Sequence, residues 1–392
     1  MKNIIELDKT YVANTYARAS VVFTHGKGSL LYDENGKEYI DLGSGIAVNA
    51  FGVADESYIE AVTTQLSKLQ HVSNLYYTEP QATLAQMLCE RTGMKKVFFA
   101  NSGAEANECA IKTARKYSSD KYSTKARGTI ITLTNSFHGR TLATLSATGQ
   151  EAMHTHFYPF TEGFIHVDAN DNKAMEEALL RDDVCAVMME LVQGEGGINV
   201  LDKEFVLNTV QKAKERDILV IIDEVQTGNG RTGSLYAFMQ YGITPDIVST
   251  AKGLAGGLPL GAILFGESTK DTLSAGTHGS TFGGNPVCAQ GAVNILSRID
   301  DELLAQVKEK SAYIFNELMG AKGVKSVSGL GLMIGIECTT PSPAIIEKCR
   351  EMGVIVLASK NKVRLLPALN IPFDTLKKAI AILKDVIASF AE

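Results

Sequence analysis

Between Lys96 and Phe265 the chain repeats one pattern, a short apolar, largely β-branched run followed by polar or helically spaced sequence. KVFFA (96–100) leads into a helical stretch from Ala104 to about Ser118. GTIITL (128–133), VCAVMME (184–190), ILVIID (218–223), DIVST (246–250) and GAILF (261–265) follow, with an amphipathic run from Lys203 to Arg216 before ILVIID. Near-continuous apolar strands separated by helices predict an α/β fold whose sheet is largely parallel and covered on both faces. Ligands of such sheets bind beyond the carboxyl ends of the strands. Glu190 and Asp223 each close an apolar run and Lys252 follows DIVST by two residues, which puts all three at that edge.

The flanks read differently. With 392 residues the chain exceeds one compact core of ordinary size, so two domains are expected. VVFTHGKGSLLYDENGKEYIDL holds two strand-like runs joined by Asn35-Gly36, a hairpin signal. From about residue 290 come a helical segment (ILSRIDDELLAQVKEKSAYIFNELM), short strands (KSVSG, LMIGIEC, VIVLAS, KVRLLPA) and a last helix from Asp374. The expected division is an N-terminal segment, 1–55, packed with a small α+β domain, 289–392, beside a large domain, 56–288.

Net charge is -6, and no Lys/Arg-rich block marks a nucleic-acid or anionic-membrane footprint. MKNIIELDKT lacks an apolar signal core, and no uncharged stretch reaches the ~18 residues that cross a bilayer. A cytoplasmic location is therefore expected. The six cysteines are scattered without a C-x-x-C, as buried reduced thiols would be.

Lys252 lies in STAKGLAGGLPLG, among small residues that let a flat ligand approach the backbone. A lysine that forms a Schiff base needs a free amine, which desolvation or nearby positive charge favours; alone, the motif more often describes a surface lysine in a glycine-rich loop. Asp223, ending an apolar strand, resembles the metal-holding strand of a phosphate-binding NTPase, but G-x-x-x-x-G-K-[ST] is absent. A buried carboxylate there can instead keep a pyridine nitrogen protonated, or act as a helix cap or ion pair. NSGAEANE (101–108) opens a helix: Asn101 or Ser102 caps it with Glu105, and the amides of Gly103 and Ala104 are left at a positive helix end suited to phosphate. In FHGR (137–140), Phe137 can stack on a planar ring and Arg140 can grip a carboxylate. His154 and His156 lack acidic partners and read as neither catalytic nor metal-binding; no metal site is expected. GLGLMIG (329–335) has the wrong spacing for a dinucleotide fingerprint and reads as packing.

Taken together these stretches resemble the class III (ω-amino acid) aminotransferases of pyridoxal-phosphate (PLP) fold type I, from about residue 12 to about 385. The resemblance is carried by SGAEANE, FHGRT, E-x-x-QGEGG (190–197), DEVQTGNGRTG (223–233), the AKG lysine and STFGGNP (280–286). Within the class, YARASVVFTHGKGSLLYDENGKEYIDLGSGIAVNAFG and HVSNLYY (71–77) are most similar to members acting on N2-acetylornithine. Ornithine, 4-aminobutyrate, succinylornithine and N-succinyl-diaminopimelate are the alternative amines, and a non-catalytic binding or regulatory protein is the contrasting class.

The resemblance implies that Lys252 carries PLP and moves the substrate proton, that Asp223 pairs with the pyridine nitrogen, and that Gln226 reaches the ring hydroxyl. It places Val225 and Phe137 on either side of the ring and Ser102, Gly103, Ala104 and Glu190 around the cofactor. Thr281 of the partner subunit would complete the phosphate site, making a homodimer necessary. Ser280 and Arg140 would contact the amine substrate, Arg364 would hold the carboxylate of 2-oxoglutarate or glutamate, and Glu195 would cover Arg364 in one half of the cycle. Two departures stand out: VADES replaces a His- and Pro-containing stretch after Phe51-Gly52, and Leu191 stands where proline is usual.

Overall fold

The computed structural model describes residues 3–124 and 126–391. Seven strands form the large sheet: β1 (Lys96–Ala100), β2 (Thr129–Leu133), β3 (Phe164–Val167), β4 (Val184–Met189), β5 (Leu219–Asp223), β6 (Ile247–Thr250) and β7 (Gly261–Phe265). Their order is β1-β7-β6-β5-β4-β2-β3, parallel except for β7, which runs antiparallel to both neighbours. The runs are apolar throughout because both faces are covered. Ile131, Val187, Val220 and Ile222 enter one core cluster; Ile130, Ala186, Met188 and Ile221 enter the other, under Ala106, Cys109, Ala110 and Ala114 of the Gly103–Tyr122 helix. Each fully buried aliphatic side chain stabilises the fold by roughly 1.5–3 kcal/mol.

Most sequence-predicted strands fall within a residue or two of their expected positions. FIHV of β3 was not predicted: it is the sheet edge, half-exposed, and carries His166. The single helix expected after residue 290 is two, Pro286–Ser297 and Asp301–Leu318, separated where Asp300 caps the second through the N–H of Leu303 (2.8 Å). VIVLAS also divides. Val354–Ile355 pairs in parallel with Glu38–Asp41 of the N-terminal hairpin, and Leu357–Ser359 pairs with Lys362–Leu365. The latter joins Val324–Leu330 and Met333–Cys338 in a four-stranded antiparallel sheet. GLGLMIG forms the turn of that hairpin; Gly331 has φ +58°, and a Cβ there would lie 2.4 Å from the Thr232 carbonyl carbon.

VADES builds a junction. Asp55 caps the Glu56–Lys68 helix through the N–H of Tyr58 (2.9 Å) and takes both arms of the Arg298 guanidinium (2.6 and 2.9 Å). Arg298 also stacks on Phe51 and holds the Asp55 carboxyl below its usual value. Leu191 is fully buried. Five cysteines are buried, Cys89 is half-buried, and all are free thiols. No helix among the described residues is long and apolar enough to cross a membrane.

β7 starts hard against the loop after β1: a Cβ on Gly261 would lie 2.3 Å from the carbonyl oxygen of Ser102. Gly261→Ala is expected to lower the unfolding free energy by about 1–3 kcal/mol, measured by urea denaturation; an unchanged midpoint would disprove the close approach.

Candidate active site

The carboxyl ends of β1, β2, β4, β5 and β6 surround a cavity of about 620 Å³. Asp223 is nearly fully buried in its floor. Its Oδ1 accepts the N–H of Val225 (3.0 Å), and its Oδ2 accepts Nδ2 of Asn107 (2.8 Å) and lies 2.8 Å from Nδ1 of His138. Asn107 also donates to the His138 carbonyl (2.7 Å), fixing the two against each other. Among the described residues no lysine or arginine pairs with Asp223, which leaves its charge available to a cation in the cavity.

Glu190, just past β4, accepts the N–H groups of Phe137 (2.8 Å) and Gly194 (3.2 Å). Burial pushes its carboxyl up to about 7, against the pull of His138 and with the push of Asp223.

Ser102 caps the Gly103–Tyr122 helix through the N–H of Glu105 (3.1 Å), and the Glu105 carboxylate returns to the N–H of Asn101 (2.6 Å). The predicted box is thus split between two residues. A Cβ on Gly103 would lie 2.7 Å from Val225, so only glycine lets this helix end close on the cavity wall. The amides of Gly103 and Ala104 begin the helix and have no partner within it.

Lys252 follows β6 with φ +46°, a left-handed conformation uncommon outside glycine. Its side chain lines the cavity. Burial lowers its pKa, with Glu195 opposing and Arg364 reinforcing. Phe137, Val225, Gln226 and Arg140 also line the cavity, Arg140 exposed at its mouth with its guanidinium 5.6 Å from the Phe137 ring centroid.

Arg364 and Glu195 lie beyond this wall as an ion pair. Arg364 Nη1 donates to Glu195 (2.6 Å), to the Gly194 carbonyl (3.1 Å) and to Gln226 Oε1 (3.3 Å). Burial raises the Glu195 carboxyl, but Arg364, Lys252 and Gln226 together hold it below its usual value. Ser280 sits behind the cradle, accepting from Asn101 (3.1 Å) and the Gly283 N–H (2.9 Å). Thr281 is exposed and lines no part of this chain's cavity.

Sequence reasoning missed His138 and Asn107, the two side chains that hold Asp223. Asn107 lies four residues after Gly103, so helical spacing puts it on the face above the cradle. His138 sits inside FHGR, a motif read only for its aromatic and its arginine. His154 donates through Nε2 to the Leu145 carbonyl (2.8 Å), away from the cavity.

Burial also pushes Glu224 up to about 7. A carboxyl raised in the folded state contributes stability below its unfolded pKa and loses it as pH rises through the folded one. The contributions of Glu190 and Glu224 to the stability of cofactor-free protein should therefore fall as pH rises from about 4.5 to about 7, partly offset by His166, which burial pushes down to about 4. Glu190→Gln should flatten that decline, leaving the share due to Glu224; an identical slope in denaturant titrations would contradict the burial of Glu190.

The aminotransferase class-III family model matches residues 11–387. The chain is 48% identical over 387 residues to the acetylornithine aminotransferase of Haemophilus ducreyi, covering 98% of each, and 43% identical to that of Aquifex aeolicus, covering 96% of this chain and 100% of the relative. Among solved structures, the acetylornithine aminotransferase of Elizabethkingia anophelis superposes with TM-score 0.90 at 32% identity over the whole of both chains. An ornithine aminotransferase of Toxoplasma gondii superposes with TM-score 0.94 at 31% identity, over 98% of this chain and 94% of that one. With Lys252, Asp223 and the Gly103 helix end gathered at the rim of a mostly parallel sheet, the chain belongs to the class III aminotransferases.

Proposed function

We propose that this protein is a PLP-dependent transaminase that passes the δ-amine of N2-acetyl-L-ornithine to 2-oxoglutarate, yielding N-acetylglutamate 5-semialdehyde and glutamate. The observation that carries the reading is the convergence of three groups on one cavity: a lysine with a lowered pKa, a buried carboxylate that no lysine or arginine among the described residues neutralises, and a helix N-terminus opened by glycine. These fit the aldehyde, the ring nitrogen and the phosphate of PLP. When bound, PLP supplies the electron sink for cleavage of a bond at the amine-bearing carbon.

The protein's own groups do the rest. Asp223 keeps a proton on the ring nitrogen, and His138 and Asn107 orient Asp223. Phe137 and Val225 would confine the ring, Gln226 would reach its hydroxyl with Glu190 nearby, and Ser102, Gly103 and Ala104 would hold the phosphate. Lys252, made less basic by burial, takes the proton from the substrate carbon. Arg140 at the mouth grips the α-carboxylate of acetylornithine, so that the distal amine points inward, with Ser280 nearby. Arg364 grips the carboxylate of 2-oxoglutarate, and Glu195 covers it while the longer amine is bound. Two substrates that present different ends to one reacting atom need two carboxylate grips, one of them masked in turn.

The active unit is a homodimer in this reading. Asn74 donates to the carbonyls of Ser280 (3.1 Å) and Gly283 (2.8 Å), placing exposed Leu75, Tyr76 and Tyr77 beside exposed Thr281 and Phe282. A second copy covering this apolar patch would bring the partner subunit's Thr281 to the phosphate.

Specificity constants for acetylornithine, ornithine, succinylornithine, N-succinyl-diaminopimelate and 4-aminobutyrate test the assignment; a preference for unacetylated ornithine would overturn it. Arg140→Ala should raise KM for acetylornithine about 100-fold while sparing 2-oxoglutarate, as loss of a charged two-point contact does. Lys252→Ala should be inactive and lack the visible absorbance band of the wild type, and a Lys252→Ala protein that still transaminates refutes the role of the lysine.

A further inference from the structure

We propose that Ser359 is a positioning residue for the Glu195–Arg364 pair: its hydroxyl pins both ends of the turn that carries Glu195, so that the Glu195 side chain swings on a fixed backbone. The inference rests on the reading of Glu195 as the cover of Arg364.

Glu195 stands in Gly194-Glu195-Gly196-Gly197, a segment with little intrinsic stiffness. Ser359 is 2% exposed at the end of its short strand. Its Oγ donates to the carbonyl of Gly194 (2.8 Å) and accepts the N–H of Gly197 (2.9 Å), bridging the turn from first residue to last. The glycines make this seat narrow. A Cβ at Gly194 would lie 2.5 Å from Gln226 Oε1, and one at Gly196 2.5 Å from the Asn135 carbonyl oxygen; Gly197 has φ +103°. Arg364 comes from the adjacent strand of the same hairpin, opposite Leu357, and also donates to the Gly194 carbonyl. One hairpin therefore holds the backbone of the turn through Ser359 and its side chain through Arg364. Alanine at 359 would leave the Gly197 N–H unpaired and the Gly194 carbonyl with Arg364 alone. The loosened turn would release Glu195 from Arg364, uncovering the grip for dicarboxylates.

The test compares full-length S359A, S359T and E195Q with wild type in three measurements. These are single-turnover kcat/KM of the holoenzyme with acetylornithine and with glutamate, calorimetric Kd of the unreactive dicarboxylate glutarate with and without cofactor, and Tm. S359A should bind glutarate about tenfold more tightly, and its acetylornithine-to-glutamate ratio should fall about tenfold, the effect of one lost hydrogen-bond clamp. S359T keeps the hydroxyl and should restore both values. Equal slowing of both half-reactions with an unchanged glutarate Kd would make Ser359 merely structural and overturn the proposal, as would S359T behaving like S359A. An E195Q protein with an unchanged ratio overturns the covering role and the clamp with it. A shifted ratio in E195Q beside an unshifted one in S359A overturns the clamp alone.

Discussion

Asp223 is 3% exposed, and among the described residues no lysine or arginine pairs with it. A carboxylate in that position is tolerated only if hydrogen bonds replace the water it has lost. Its donors come from separate parts of the chain: Val225 from its own turn, Asn107 from the helix after β1, and His138 from the loop after β2. In the sheet, β1 and β2 lie on opposite sides of β5. The carboxylate thus ties together loops that the sheet order separates, and the same loops carry the Gly103 helix end and Phe137. Removing the carboxylate would relax more than one contact, because the helix that begins at Gly103 and the loop that carries Phe137 are both tied to it through Asn107 and His138.

A second carboxylate in this floor would seem to double the difficulty. Glu190 escapes by holding its proton more strongly: burial pushes its carboxyl up to about 7, and Asp223 adds to the rise. Two acids in one low-dielectric site resist ionising together, and the one with more hydrogen bonds to its charged form takes the negative charge. Asp223 accepts from three donors and Glu190 from two backbone amides. In the proposed reading, the hydrogen bonds gathered on Asp223 suit it to face a protonated ring nitrogen.

The strands of the large sheet were legible because both faces are buried, which makes each run apolar without alternation. The edge strand β3 escaped notice for the converse reason, its half-exposed FIHV carrying too little apolar signal. VIVLAS read as one strand because its composition is uniform; the break at Val356 comes from two sheets competing for it, a tertiary effect. The same distinction separates the site residues. Lys252, Asp223 and the Ser102–Ala104 cradle announce themselves by their position at strand ends. Nothing local marks Arg364 as the partner of Glu195, 169 residues away, and resemblance alone brought them together. His138 and Asn107 remained hidden because a polar side chain whose task is to orient another has no pattern until the fold supplies its neighbour.

Glycine explains how so many loops meet at this rim. Side chains at Gly103, Gly194, Gly196 and Gly261 would press on Val225, Gln226, the Asn135 carbonyl and the Ser102 carbonyl, each at 2.7 Å or less. The site is therefore assembled by close approach of glycine backbones, to other backbone at Gly196 and Gly261 and to the Val225 and Gln226 side chains at Gly103 and Gly194. Arg364 enters this arrangement from the C-terminal sheet, and the hairpin that brings it also grips the Gly194–Gly197 turn through the Ser359 hydroxyl. A displacement of that hairpin would carry the turn with it, so the distance between Glu195 and Arg364 is insulated from small shifts between the two sheets. The freedom left to the pair is rotation of the Glu195 side chain, which is 29% exposed where Arg364 is 4%. In the proposed reading the member that moves is therefore the more exposed acid, and the buried arginine stays in place as the carboxylate grip.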